Sequence, residues 1–169
     1  MTQALSPADR QEIADLVSRY CWALDTGDVD GFVDCYCSHG TLVWDAFDVP
    51  MEWHGGDQLR HFAQFLADQP TTAGRQHHVT NLLVEPAQGG ATGKAFVAVA
   101  MRKGGGPHIL NVMGWYEDSY AREDGQWKLA KRIIRDWSGP VLANIAGQTG
   151  ERESRALPPP LAGLLPPKD

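Results

Sequence analysis

The stretches ATGKAFVAVAMR (residues 91–102), ILNVMGWYEDSY (109–120) and QWKLAKRIIRDW (126–137) decide how this chain folds. Each is long, rich in β-branched and aromatic residues, and bounded by turn chemistry: Gly104-Gly105-Gly106-Pro107 follows the first and Glu123-Asp124-Gly125 the second. A fourth run, His77 to Glu85, leads into them across Gln88-Gly89-Gly90. Long consecutive strands joined by short glycine-bearing turns predict an antiparallel meander.

Upstream the period changes from two to three and four. Ser6-Pro7-Ala8-Asp9 is a helix start, with Ser6 as cap, Pro7 in the first turn and Asp9 where a capping-box acid reaches back. Ile13, Leu16, Val17, Tyr20 and Leu24 then form one apolar face, and Asp25-Thr26-Gly27 ends it. A second helix is predicted from Asp28, carrying Val29, Phe32, Val33 and Tyr36, with Gly40 as its stop. Thr41 to Trp44 and Met51 to Trp53 flank a turn at Asp48-Val49-Pro50 as a β-hairpin, and Leu59, Phe62, Phe65 and Leu66 mark a short third helix closed by Gln69-Pro70. Helices first and a bent sheet afterwards predict an α+β fold, a cone-shaped barrel of curved, mostly antiparallel sheet closed by three N-terminal helices. Residues 1–150 are expected to form this single domain. Residues 151–169, with Pro158-Pro159-Pro160 and Pro166-Pro167 around Leu161, Leu164 and Leu165, are expected to form a tail or an arm over the pocket mouth or a neighbouring subunit.

Composition narrows the function. Fifteen Lys and Arg against 21 Asp and Glu leave a net charge of -6, without the basic surface that nucleic acid demands. No apolar run has membrane-spanning or signal-peptide length, so the expected location is cytoplasmic and no membrane partner is implied. Cys21, Cys35 and Cys37 are odd in number and lack C-x-x-C spacing, which predicts buried thiols rather than disulfides or a zinc knuckle. The histidines form no metal-ligand spacing, and Gly104-Gly105-Gly106 lacks the lysine of a phosphate loop, so neither metal nor cofactor is expected. Six Trp, four Tyr and five Phe point instead to a cavity for a flat or greasy ligand.

Polar groups that interrupt apolar patterns are the candidates for chemistry. Asp25 follows the last apolar position of the first helix, where a carboxylate opposes the macrodipole and so calls for another purpose. Strand alternation over Arg75-Gln76-His77-His78-Val79-Thr80-Asn81 puts His77, Val79 and Asn81 on one face and His78 on the other. An Asp–His pair suffices for proton abstraction, the carboxylate holding the ring tautomer. Asn111 and Trp115 share a strand face by the same alternation. Trp22, Trp44, Trp53 and Trp115 are candidate pocket walls, and either Arg132 or Arg135 faces inward to orient an oxygen, Arg135 being the choice for a substrate-binding set that also includes Asn81 and Asn111.

The stretch Tyr20 to Asp28, the strand opening Gln76 to Asn81 and the late Asp124-Gly125-Gln126-Trp127-Lys128-Leu129 resemble the nuclear-transport-factor-two-like, SnoaL-like superfamily over about residues 6 to 140. Within it the pattern is most similar to small lyases: scytalone dehydratase, bile-acid 7α-dehydratase and hexachlorocyclohexane dehydrochlorinase. The resemblance implies Asp25 and His77 as a catalytic dyad, with Tyr20 as a hydroxyl near the leaving group or substrate carbonyl. It also implies a homotrimer, with a dimer as the alternative. One departure is plain: where the bile-acid enzyme is expected to carry a further acid, this chain has Val97-Ala98-Val99. The implied activity is a cofactor-independent, dehydratase-type elimination on a small aromatic or polycyclic substrate, with loss of halide or of formaldehyde as alternatives that the same base and cavity would serve. An isomerase or cyclase of a steroid- or polyketide-like substrate is the alternative within catalysis, and a hydrophobic-ligand-binding or assembly subunit the alternative outside it.

Overall fold

Ser6 opens the first element as its sequence requires: its hydroxyl accepts the Asp9 N–H at 3.1 Å, and the Asp9 carboxylate accepts the Ser6 N–H at 2.8 Å. Helix α1 runs over Pro7–Thr26, burying Ile13, Leu16, Val17, Tyr20 and Leu24, and ends at Gly27 in the left-handed conformation at φ 76°. This computed structural model describes residues 4–69, 74–102, 106–136, 156–157 and 159–165. The domain boundary expected near residue 150 and the strand end expected at Trp137 lie outside them.

Helix α2 is a short Val29–Asp34, ending before the expected Gly40. Strand β1 (Tyr36–Asp45) has already begun there, and Gly40 lies inside it. The glycine serves close packing: a Cβ at residue 40 would stand 2.8 Å from the Cβ of Tyr36. Strand β2 (Met51–His54) forms the expected hairpin with β1, pairing Leu42 with Trp53, and α3 (Gly55–Ala67) follows. The meander is present as β3 (Gln76–Ala87), β4 (Gly90–Arg102), β5 (His108–Glu123) and β6 (Gln126–Asp136).

Among the described residues six strands form one sheet, in the order β2-β1-β6-β5-β4-β3. Neighbours are antiparallel except β1 and β6, which run parallel. The sheet is therefore mixed and open, with β2 and β3 as edges, and does not close into the cone-shaped barrel expected from the pattern. The helices pack on one face, and that inner face carries the core. A 3₁₀ helix, Pro159–Leu164, docks beside α3: the indole N–H of Trp53 donates to the Leu164 carbonyl at 2.8 Å, and Gly163 lies so close to the Phe65 ring that a Cβ would meet it at 2.9 Å.

One charged pair lies in this core. Arg132 on β6 and Asp118 on β5 are paired by register, and both side chains are fully buried. The guanidinium donates to the two carboxylate oxygens at 2.8 and 2.7 Å and is sandwiched between the rings of Tyr20 and Tyr116, 4.1 and 4.0 Å from their centroids. Removing one partner of a buried pair strands the other charge, typically at 3–5 kcal/mol. Arg132→Met should lower the urea unfolding free energy by about that amount, and the double change Arg132→Met with Asp118→Leu should recover most of the loss. A single variant as stable as the parent would remove the pair from the fold's essential contacts.

Candidate active site

Asp25 stands on the last turn of α1 and His77 is the second residue of β3. The two elements meet through these side chains. Asp25 Oδ1 lies 2.5 Å from His77 Nδ1, while Oδ2 accepts the backbone N–H of His77 at 2.7 Å. A carboxylate only accepts, so Nδ1 carries the proton and Nε2 keeps its lone pair. Arg75, buried two residues before His77 and just outside β3, donates from Nε to the same Oδ1 at 3.3 Å and from Nη2 to the Leu24 carbonyl. Burial opposes the charge on Asp25, yet the hydrogen bonds and charge of His77, together with the Arg75 guanidinium, hold its carboxyl below the usual range.

His77 and Arg75 open onto a cavity of about 410 Å³ between the helices and the inner sheet face. Leu24, Phe62 and Leu66 from the helices, Trp44, Ala46 and Phe47 around β1, and Val97, Val99 and Met101 on β4 give it apolar walls. Leu161 of the 3₁₀ helix adds a further wall. Two polar groups line it from other strands, Asn111 on β5 and Asp136 at the end of β6. Asn111 is there because of a β-bulge: Val99 pairs with Val112 and Ala100 with Leu110, so Asn111 is the extra residue. A bulge re-aims a side chain that alternation would place elsewhere.

The other expected site residues divide. Trp44 lines the cavity, but Trp22 is 72% exposed on α1 and Trp53 is fully buried against Phe62, its indole committed to Leu164. Trp115 is absent from the lining, its indole donating to Glu117 at 3.0 Å; the bulge separates it from the face of Asn111. Asn81 is exposed, in a second bulge between Thr80 and Leu83 with φ 56°, which breaks its alternation with His77. Arg135 points away from the cavity to Asp45 and Glu117, whereas Arg132 is the inward arginine, consumed by Asp118. Tyr20 is buried against Arg132 outside the lining, and burial pushes its phenol up to about 12, so it is a neutral hydroxyl near pH 7. Cys21 and Cys35 are buried thiols raised by burial to about 12 and about 11, while Cys37 is only half-buried. Among the described residues no three His, Cys, Asp or Glu side chains gather as a metal-holding group, and no helix is long and apolar enough to cross a membrane.

Arg75 and Asp136 escaped the sequence reading. Arg75 lay just outside the predicted strand face, and Asp136 beside an arginine looked like an exposed strand end; the inward set Arg132, Ile134, Asp136 was the available signal.

A family model described as a SnoaL-like domain matches residues 6–133. No curated protein matches the chain. Among solved structures, a protein of unknown function from Mycobacterium tuberculosis, determined as an aspartate-to-asparagine variant, is 27% identical with TM-score 0.69, over 78% of this chain and 77% of that one. A candidate scytalone dehydratase from Novosphingobium aromaticivorans is 18% identical with TM-score 0.65, over 76% and 84%. LinA is 22% identical with TM-score 0.65, over 76% and 86%. The last two likenesses show the fold.

With Trp44 in the cavity wall and Trp22 in solvent, a naphthol that enters the cavity should quench tryptophan fluorescence through Trp44. Trp44→Phe should remove most of the saturable quenching, and Trp22→Phe should leave it. The opposite result would put the ligand on the outer surface of α1.

Proposed function

The chain belongs to the SnoaL-like domain family, which includes dehydratases, isomerases and cyclases, and from that premise we propose that it is a cofactor-independent lyase. The observation that carries the reading is the 2.5 Å contact between Asp25 Oδ1 and His77 Nδ1 at the wall of an apolar cavity. His77 Nε2 takes a proton from a carbon of the substrate. The released electron pair forms the carbon–carbon double bond as a hydroxyl on the neighbouring carbon departs. That hydroxyl leaves as water, protonated by the imidazolium, and the dyad returns to its starting state. Asp25 fixes the tautomer and stabilises the transient positive charge, as the carboxylate partner of a catalytic His does elsewhere. The cavity walls and Trp44 suit a small aromatic or polycyclic body, and Asn111 can hydrogen-bond an oxygen on it. Loss of water is the elimination we favour, and one similar structure is named as a candidate scytalone dehydratase.

The same base could instead return its proton to another carbon, which is the isomerase reading. Solvent deuterium in recovered substrate with no leaving group lost would favour it. Saturable ligand binding without turnover would favour a binding subunit.

Assembly belongs to the same proposal. Leu83, Phe96, Leu110 and Met113 are exposed on the outer sheet face, while Tyr116 and Trp127 are buried within the subunit. A homotrimer burying this face, or a dimer, is the expected state, and light scattering at micromolar concentration should give the mass of three or two chains.

With a β-hydroxy ketone on a fused aromatic ring as substrate and enone absorbance as readout, Asp25→Asn and His77→Ala should each lower kcat about a hundredfold or more. The double variant should be little worse than the worse single, because the pair acts as a unit. His78→Ala, on the opposite strand face, should cost far less. Full activity in His77→Ala would discard the mechanism.

A further inference from the structure

Arg75 shares its acceptor with the base. His77 Nδ1 at 2.5 Å and Arg75 Nε at 3.3 Å both address Asp25 Oδ1, so one carboxylate oxygen serves two donors. The arginine is locked in place: its side chain is 7% exposed, and its second arm donates to the carbonyl of Leu24 on the last turn of α1. That turn carries no basic residue of its own, so Arg75 reaches from the sheet to supply the positive charge that a helix C-terminus favours and that Asp25 opposes.

We propose that Arg75 is a positioning residue which, by holding Asp25 Oδ1 in competition with His77, keeps the imidazole neutral and able to accept a proton at lower pH than an Asp–His pair alone would allow. With His77 neutral, Arg75 and Asp25 cancel and the cluster is uncharged. Protonation of His77 sets a second cation on one carboxylate inside an apolar cavity, where a like charge is poorly screened. The other titratable and charged groups near the cluster are Cys21 on α1, Tyr116 on β5, Asp136 at the end of β6, which lines the same cavity, and His108 and Arg102 near Gly74, with Asn111 as a neutral neighbour. The inference refines the proposed lyase site and rests on that reading only for the use of His77 as base.

Its test needs no substrate. The ring Cε1–H resonance of His77 is followed by NMR against pH in the full chain, in the parent and in Arg75→Met, Arg75→Gln and Arg75→Lys. Loss of the positive charge should raise the titration midpoint by about one unit in the Met and Gln variants, while the Lys variant should stay near the parent. Gln keeps a donor for the Leu24 carbonyl and provides a folded neutral variant if Met fails to fold. A midpoint unmoved in the neutral variants, or a Lys variant that behaves like Gln, would overturn the proposal. Because the readout is equilibrium protonation, a protein with no lyase activity still answers the question. Once a substrate is in hand, the acid limb of kcat/KM should move upward in pH in Arg75→Gln by the same amount.

Discussion

A carboxylate at the end of a helix would ordinarily face solvent, but Asp25 is instead the joint between the helical layer and the edge of the sheet. Among the described residues strand β3 has β4 on one side and no strand on the other, so its outward backbone N–H groups need partners. The N–H of His77 finds one in Asp25 Oδ2. The same carboxylate takes the ring of His77 on its other oxygen, and Arg75 ties the arrangement to the Leu24 carbonyl in the last turn of α1. Edge protection and placement of the candidate base are thus satisfied by one side chain. Moving α1 relative to β3 would break both at once, so the site is as rigid as the contact between layers.

A second polar system lies deeper and is kept separate. Arg132 and Asp118 satisfy each other between the aromatic faces of Tyr20 and Tyr116, and the Tyr120 hydroxyl donates to Asp118 at 2.6 Å. Tyr116 belongs to both regions: it covers the buried arginine and also lines the cavity. The inward-facing charge of the sheet is therefore neutralised before it reaches the ligand space, which leaves Arg75, His77, Asn111 and Asp136 as the polar groups of an otherwise apolar lining.

The helix start at Ser6, the α1 face, the β1 and β2 hairpin and the four-strand meander were all legible, because caps, glycine turns and period leave local marks in the chain. The Asp25 and His77 pairing was legible for a related reason: each interrupts an apolar pattern at the end of an element. Features that depend on register were not. Alternation placed Asn111 beside Trp115 and Asn81 beside His77, and in both cases one extra residue in a strand shifts the face. The choice between Arg132 and Arg135 turned on the same alternation, and pairing with Asp118, fourteen residues away, settled it structurally. Gly40 looked like a helix stop because nothing local records that Tyr36 presses against it. The parallel contact of β1 with β6 pairs Asp45 with Arg135, a separation in sequence that no short pattern spans.

The 3₁₀ helix near the C-terminus supplies Leu161 to the cavity and is anchored by backbone carbonyls, with Leu164 on Trp53 and Gly163 on His61 at 2.9 Å. Anchors of that kind read the path of the main chain and are indifferent to the neighbouring side chains. Residue 161 is consequently free to vary in size without disturbing the dyad or the sheet that holds it. The cavity wall at residue 161 and the Asp25–His77 pair therefore stand on separate parts of the chain, so selection can reshape that wall while leaving the pair untouched.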